Sequence, residues 1–293
     1  MPILIKTINM KVLSSIKELQ KEIKSVNSSP LGFVPTMGAL HPGHISLVRN
    51  AISLCPLVVV SIYVNPTQFN DANDLKNYPR TPDVDLALLV EVLRENDIVF
   101  TPDDKEIYPH KEKLEFHFGN LDNVMEALHR PGHFSGVGQV VSRLFEIVNP
   151  DMAFFGQKDF QQVSVIKELV RQLNSKVRII SNPIIRETDG LAMSSRNRLL
   201  DTAIRKNAGI IYSAISAAAG MTGNHDIPYI IDWVRKKIEK ADGFRVEYFD
   251  IVDDVELRPV AAMCEMDKGK RYFGCIAVKA GTVRLIDNIE FPQ

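Results

Sequence analysis

The chain has 293 residues, 45% of them hydrophobic and 24% charged, and a formal net charge of -1. That composition suits a globular protein able to bury one large core or two modest ones. A charge balance this close to neutral offers nothing to a phosphate backbone, and no helical stretch joins clustered cations to an apolar face, so nucleic acid and membrane surfaces are excluded as expected partners.

In chain order, MPILIKTINMK (1–11) lacks the long apolar core of a secretory signal. Residues 12–24 (VLSSIKELQKEIK) show helical apolar spacing, 31–35 read as a short strand, and 45–54 (ISLVRNAISL) as a helix. LVVVSIYV (57–64) is β-branched and apolar on both faces, as a central parallel strand is. It falls far short of the roughly 20 residues that span a membrane. Thr81-Pro82 predicts a helix running to about Glu95, with threonine as cap and proline at the first helical position. IVFTP (98–102) is a strand ending at proline, and Val137, Val140, Val141, Leu144, Phe145 and Val148 keep helical spacing. MAFFG (152–156) is a strand meeting glycine, FQQVSVIKELVRQL (160–173) the helix after it, and VRIISNPII (177–185) closes the series.

Strands alternating with helices predict an α/β fold: a Rossmann-like doubly wound parallel sheet with helices on both faces. Such sheets bind ligands beyond the carboxyl ends of their strands, where neighbouring crossovers diverge. The unusual residues do follow strands: His41 and His44, Asn65 to Gln68, and Gly156 to Gln162. After residue 185 two helical stretches (202–219 and 227–240) precede the strands EYFDIVD, YFGCIAVKAG and TVRLIDN, which predicts a smaller C-terminal α+β domain with an antiparallel sheet. The expected division is 1–183 and 184–293, with a short hinge near Pro183. Cys55, Cys264 and Cys275 form no CxxC pair and are odd in number, which reads as reduced thiols in a cytoplasmic protein.

PTMGALHPGH (35–44) brings a strand into a glycine-containing turn and a helix, a place where backbone N–H groups and the helix end face an anion. Gly38 and Gly43 permit close approach of a ligand, and His41 and His44 would donate to phosphate oxygens. HxxH alone also suits two surface histidines, and a zinc site would need an HExxH pattern or a cysteine partner that this sequence does not supply. In FFGQKDFQQ (154–162), Lys158 stands where a long cation reaches the same crevice, although a solvated Lys-Asp loop is the plain alternative. Gln161 and Gln162, with Asn65 and Gln68 of NPTQF, offer neutral amides for hydroxyls and carboxylates. In DGLAMSSRNRLL (189–200), Ser194 and Ser195 offer hydroxyls and Arg196 a fork for phosphate oxygens, or else a serine cap before a helix. RPGHF adds Arg130 and His133; His129 lies four residues before His133, with Pro131 and Gly132 between them breaking any helical metal face. There is no Walker lysine motif, no GxGxxG and no nucleophilic serine elbow.

PTMGALHPGH resembles the HxGH signature of the nucleotidyltransferase superfamily shared with class I aminoacyl-tRNA synthetases, and MSSR (193–196) resembles its second, mobile signature loop. With YVNPTQF, YPRT (78–81), RPGHF and FGQKDFQQ in this order, the chain from about residue 30 onward is similar to the pantothenate synthetase (pantoate–β-alanine ligase) family. Gln157 stands where many members carry Glu, and Pro42 fills the free position of HxGH.

The resemblance implies activation of pantoate by ATP to a pantoyl adenylate with release of pyrophosphate, then displacement of AMP by β-alanine. It implies that Met37, Gly38, Ala39, Leu40, His41, Pro42, Gly43 and His44 form an ATP-binding turn, with His44 as proton donor and His41 its companion at the phosphates. Gly156, Gln157, Lys158 and Asp159 would be further ATP contacts, as would Met193, Ser194, Ser195 and Arg196, with Ile185 offering backbone to adenine. His44, His41, Lys158 and Arg196 would carry the catalysis. Gln68 and Gln162 would hold pantoate, Gln68 also bordering β-alanine, and Asn65 and Arg130 would complete the substrate site. Mg2+ would accompany ATP without an evident protein ligand, and the enzyme would be a homodimer. Adenylyl transfer onto a phosphate acceptor would instead need basic residues where Asn65, Gln68 and Gln162 stand. A tRNA synthetase would need an anticodon-binding region, and a nucleotide sensor would have no use for the full set His44, Lys158, Ser194, Ser195 and Arg196.

Overall fold

The computed structural model describes residues 10–69, 71–109 and 114–292. The chain divides into two compact units. The first takes the chain up to Phe116, then Ser135–Phe155 and Leu169–Asn182. The second takes His117–Phe134, Gly156–Glu168 and everything from Pro183 onward. The last crossing thus falls beside Pro183, and two earlier segments belong with the later part of the chain. Among the described residues no helix is long and apolar enough to cross a membrane.

The first unit is built on strands β1 (Lys11–Leu13), β2 (Leu31–Thr36), β3 (Leu57–Ile62), β4 (Ile98–Phe100), β5 (Met152–Gly156) and β6 (Arg178–Asn182), in the order β1-β4-β3-β2-β5-β6. The pairings β1–β4, β4–β3, β3–β2 and β2–β5 are parallel. From β2 the chain lays β3 and β4 on one side and β5 and β6 on the other, so the winding reverses between β2 and β5. Successive strand residues point to opposite faces. Val34, Val58, Val60, Val99 and Phe154 pack with Leu47, Val48 and Ala51 of helix Pro42–Leu54 and with Leu89 of helix Pro82–Val90. On the opposite face Phe33 meets Phe145 of helix His133–Val148 edge-on, ring centroids 6.4 Å apart. Val58, Val59 and Val60 are fully buried. Each contributes about 1.5–3 kcal/mol of transfer free energy, which is why this strand opens with four apolar residues in a row.

Several expected elements differ in extent. The helical spacing of 12–24 conceals a strand, because Lys11–Leu13 pairs with Ile98–Phe100 and the helix runs from Ile16 to Val26. Helix Pro82–Val90 stops short of Glu95, β6 ends at Asn182 before Pro183, and 202–219 holds two helices, Thr202–Asn207 and Ile210–Ala219.

In the second unit β7 (Phe244–Asp253), β8 (Tyr272–Ala280) and β9 (Val283–Phe291) form an antiparallel sheet in that order, with a register shift in β7 between Val246 and Tyr248. Helices Ile210–Ala219 and Ile227–Glu239 cover it through Ile211, Ile215, Ile230 and Val234. The second of these starts cleanly because Asp226 accepts the Tyr229 amide at 3.0 Å and proline occupies its first turn.

Candidate active site

The turn after β2 is fixed from within. Gly38 has φ +76° and Ala39 φ +49°, and a Cβ on residue 38 would stand 3.0 Å from Asp85 Oδ2. The Gly38 amide donates to Thr36 Oγ1, and those of Ala39 and Leu40 donate to Asp85 Oδ2 and Oδ1 at 2.9 and 2.7 Å. Thr81 Oγ1 adds a hydrogen bond to Asp85 Oδ1. Two amides of the turn expected to face an anion, those of Ala39 and Leu40, are therefore already taken by Asp85, itself buried. Ala39 and Leu40 are fully buried, and their side chains belong to the core.

The turn presents imidazoles. His41 caps helix Pro42–Leu54, its Nδ1 accepting the Gly43 amide at 3.1 Å, while the His44 amide donates to the His41 carbonyl. With Nδ1 as acceptor, the neutral His41 ring carries its proton on Nε2. The His41 and His44 rings lie 4.1 Å apart, so the two act as one polar head on a rigid helix start. Pro42, at the first helical position, costs no hydrogen bond there.

After β3, Gln68 is held at both ends of its amide. Asn65 Nδ2 donates to Gln68 Oε1 and to the Gly136 carbonyl, both at 3.2 Å, and Gln68 Nε2 reaches Met37 Sδ at 3.0 Å. Asn65 Oδ1 accepts from Thr67 N, Thr67 Oγ1 and Tyr108 Oη. Burial raises the Tyr108 hydroxyl above its ordinary value, which keeps it a donor. Asn65 has its whole amide engaged inside the protein and supports Gln68, where the sequence had suggested a substrate contact. Gly136 belongs to this arrangement because a Cβ there would lie 2.6 Å from Gln68 Cα and would also strike the Thr67 carbonyl.

In the second unit, Gln161 is likewise turned inward: Nε2 donates to the carbonyls of Leu121 and Val124, and Oε1 accepts the Glu126 amide. That tie brings the His117–Phe134 segment to the start of helix Phe160–Gln172. Gln162 instead lines a cavity with Arg130, His133, Lys158, Asp287 and Asn288. Arg130 Nη1 lies 3.0 Å from His133 Nε2 and 3.8 Å from Glu126 Oε2. Glu126 takes both prongs of Arg284, at 2.6 and 2.7 Å, and the hydroxyl of Tyr248 at 2.7 Å. Burial pushes the Glu126 carboxyl up, but Arg284, Tyr248 and Arg130 together hold it below its ordinary value. Lys158 Nζ pairs with Asp159 Oδ1 at 3.0 Å.

The remaining candidates lie between Ile185 and Arg196, in the second unit. The Glu187 amide donates to the Leu191 carbonyl, the Met193 amide to that of Ile185, and Ser194 Oγ caps turn Ser195–Leu199 by accepting the Arg196 amide. Ile185 to Met193 thus has a hairpin's bonding, and in the MSSR segment that follows Ser194 is a cap. His41, His44, Met37 and Gln68 stand in the first unit, and Arg130, Lys158, Gln162, Ile185 and Arg196 in the second. Asp85, Glu126 and Arg284 were missed as supports. Asp85 lies just beyond the noted YPRT motif, which was the one signal available.

The sequence from 11 to 290 matches the model of a family described as pantoate-beta-alanine ligase. This chain belongs to that family. As a pantoate-beta-alanine ligase family member it is 46% identical over 286 residues to a protein from Bacteroides thetaiotaomicron named pantothenate synthetase, covering 97% of this chain and all of that one. A pantothenate synthetase structure from Thermus thermophilus superimposes with a TM-score of 0.88 at 38% identity, over 97% of this chain and 100% of that one. A pantoate-beta-alanine ligase from Francisella tularensis, complexed with beta-gamma ATP and beta-alanine, gives a TM-score of 0.77 at 33% identity, over 96% and 97% of the two chains. The ligase class expected from the sequence and the sheet architecture both stand.

Proposed function

We propose that this chain condenses pantoate with β-alanine in two steps driven by ATP. A carboxylate oxygen of pantoate forms a bond to the α-phosphorus while the bond from that phosphorus to pyrophosphate breaks. The amine of β-alanine then attacks the acyl carbon and loses a proton, the bond from that carbon to the bridging oxygen breaks, and AMP leaves carrying that oxygen. The observation that carries this reading is the reversal of winding between β2 and β5, whose carboxyl ends lead into the His41–His44 turn and the Gly156–Asp159 segment. Ligands of doubly wound sheets collect at that point.

In this reading Met37 to His44, Gly156 to Asp159, Ile185 and Met193 to Arg196 surround ATP. His44 Nε2 and Lys158 stabilise the five-coordinate α-phosphorus, with His41 and Arg196 on flanking phosphate oxygens. Gln68 and Gln162 orient pantoate, and Arg130 meets a substrate carboxylate. Holding both anionic reactants in line removes on the order of 7–11 kcal/mol of bimolecular cost in favourable cases. Mg2+ would accompany the ATP phosphates, keeping phosphate and water oxygens as ligands. The proposal includes residues 1–183 binding nucleotide and pantoate, residues 184–293 closing over them, a homodimer, and a cytoplasmic setting with small molecules rather than nucleic acid or membrane as partners.

The test is incubation with ATP, pantoate and β-alanine. AMP and pantothenate are expected in equal amounts, with pyrophosphate exchange into ATP requiring pantoate alone. Exchange without pantoate, or AMP without pantothenate, would overturn the proposal.

A further inference from the structure

We infer that Asp287 and Asn288, neighbours on β9, are positioning residues that set the spacing between the adenine end and the phosphate end of the bound nucleotide. The inference rests on the ATP reading above and concerns residues of the second unit alone.

Asn288 holds the lysine segment. Its Nδ2 donates to the carbonyls of Gln157 and Lys158, at 2.9 and 3.1 Å, and its Oδ1 accepts from Gln157 Nε2 at 3.4 Å. Those two carbonyls belong to the peptide units on either side of the Lys158 Cα. Tying both leaves that residue little freedom in φ and ψ, and so fixes the direction in which its side chain leaves the main chain. Asn288 is buried and its own amide donates to Asp287 Oδ1 at 2.8 Å, which locks it in turn.

Asp287 holds the other segment. Its carboxylate takes both prongs of Arg186, at 2.6 and 3.0 Å, and the guanidinium stacks on Tyr212 with its centre 3.8 Å from the ring centroid. Arg186 directly follows Ile185, whose carbonyl accepts the Met193 amide at 2.9 Å. Arg186 also donates to the Gly190 carbonyl, so one side chain fastens both arms of the hairpin. A buried ion pair is a weak device for stability but a strong one for geometry, because a forked pair tolerates little displacement. Two adjacent residues on one strand therefore fasten two segments, around 157–158 and 185–193, that the chain separates by a helix and a strand. Turn Ser195–Leu199 also packs on β9.

The two ends should respond differently. Asn288→Ala is expected to lower pantoate-dependent pyrophosphate exchange about 10²-fold at saturating ATP, as a displacement near 1 Å does. It should leave the conversion of preformed pantoyl adenylate and β-alanine to pantothenate near the wild-type rate, since Lys158 has no part in that step. The double variant with Lys158→Ala should exchange no more slowly than Lys158→Ala alone. Asp287→Asn should raise KM for ATP about tenfold with kcat little changed, the mark of binding lost away from the reacting atoms. Asn288→Ser, which keeps a polar group too short to span both carbonyls, carries the test should Asn288→Ala not fold. Wild-type exchange in both Asn288 variants, or equal loss in both half-reactions, would overturn the inference. Absence of pantoate-dependent exchange in the unaltered protein would instead overturn the proposed function.

Discussion

The carboxylate of Asp85 accepts the Leu40 amide at 2.7 Å and, through its other oxygen, the Ala39 amide at 2.9 Å. An acid on the first turn of one helix thereby shapes the turn that starts another and carries His41 and His44. Asp85→Ala would leave two buried amides without an acceptor, at about 1–3 kcal/mol each. Urea unfolding should show a loss of about 2–6 kcal/mol, and pyrophosphate exchange should fall about 10²-fold as the imidazoles shift. Normal stability together with normal exchange would remove Asp85 from this role.

Gly136 allows helix His133–Val148 to lie against the Gln68 turn. Gly136→Ala puts a methyl group 2.6 Å from Gln68 Cα, against main chain that cannot rotate away. The cost should be about 1–3 kcal/mol, as for other overpacked sites. Steady-state kinetics should show a raised KM for pantoate with that for ATP unchanged; a change confined to ATP would contradict the placement of Gln68 at pantoate.

The central strands and the histidine turn were legible because their signals are local. Leu57–Ile62 is a run of apolar and β-branched residues broken only by Ser61, and Pro35, Gly38 and Pro42 mark where β2 must give way to a helix. β1 was not legible, since Val12 shares the helical spacing of Ile16 and Leu19 and its pairing with Val99 is a contact across most of the unit. The inward turn of Asn65 and Gln161 escaped for the same reason: an amide looks alike in sequence whether it meets substrate or the Gly136 carbonyl. Asp85 reads as an ordinary acid at a helix start, and only the turn 46 residues earlier makes it a clamp.

Lys158→Ala removes the cation proposed for the α-phosphate. By analogy with other preorganised donors the loss in pantoate-dependent exchange should be roughly 10²–10³. Near-normal exchange in this variant would show that the charge developing at phosphorus is met elsewhere.

Glu126 makes acid stability specific. Its folded-state pKa is lowered, so the folded protein binds this proton less readily than the unfolded chain does, and the stabilisation is fully present above the ordinary value of 4.5 and lost as pH falls through the folded value. Glu126→Gln takes the forked partner from Arg284, which keeps Glu247 Oε2 at 2.6 Å through Nε, and should cost about 1–3 kcal/mol at neutral pH. Urea unfolding across the acid range should show the gap between the two proteins narrowing once pH drops below 4.5. A gap independent of pH would mean that the lost contact is steric rather than ionic.

Arg284 stands 158 residues after the glutamate it pairs with, and Asn288 stands 130 after Lys158. On the ribosome, the lysine segment is made long before the strand that anchors it. A nascent chain that has just passed residue 158 already carries both histidines and the lysine, yet lacks the Asn288 amide that ties the lysine's two flanking carbonyls. The two carbonyls flanking Lys158 gain their Asn288 partner only when a strand made 130 residues later has folded.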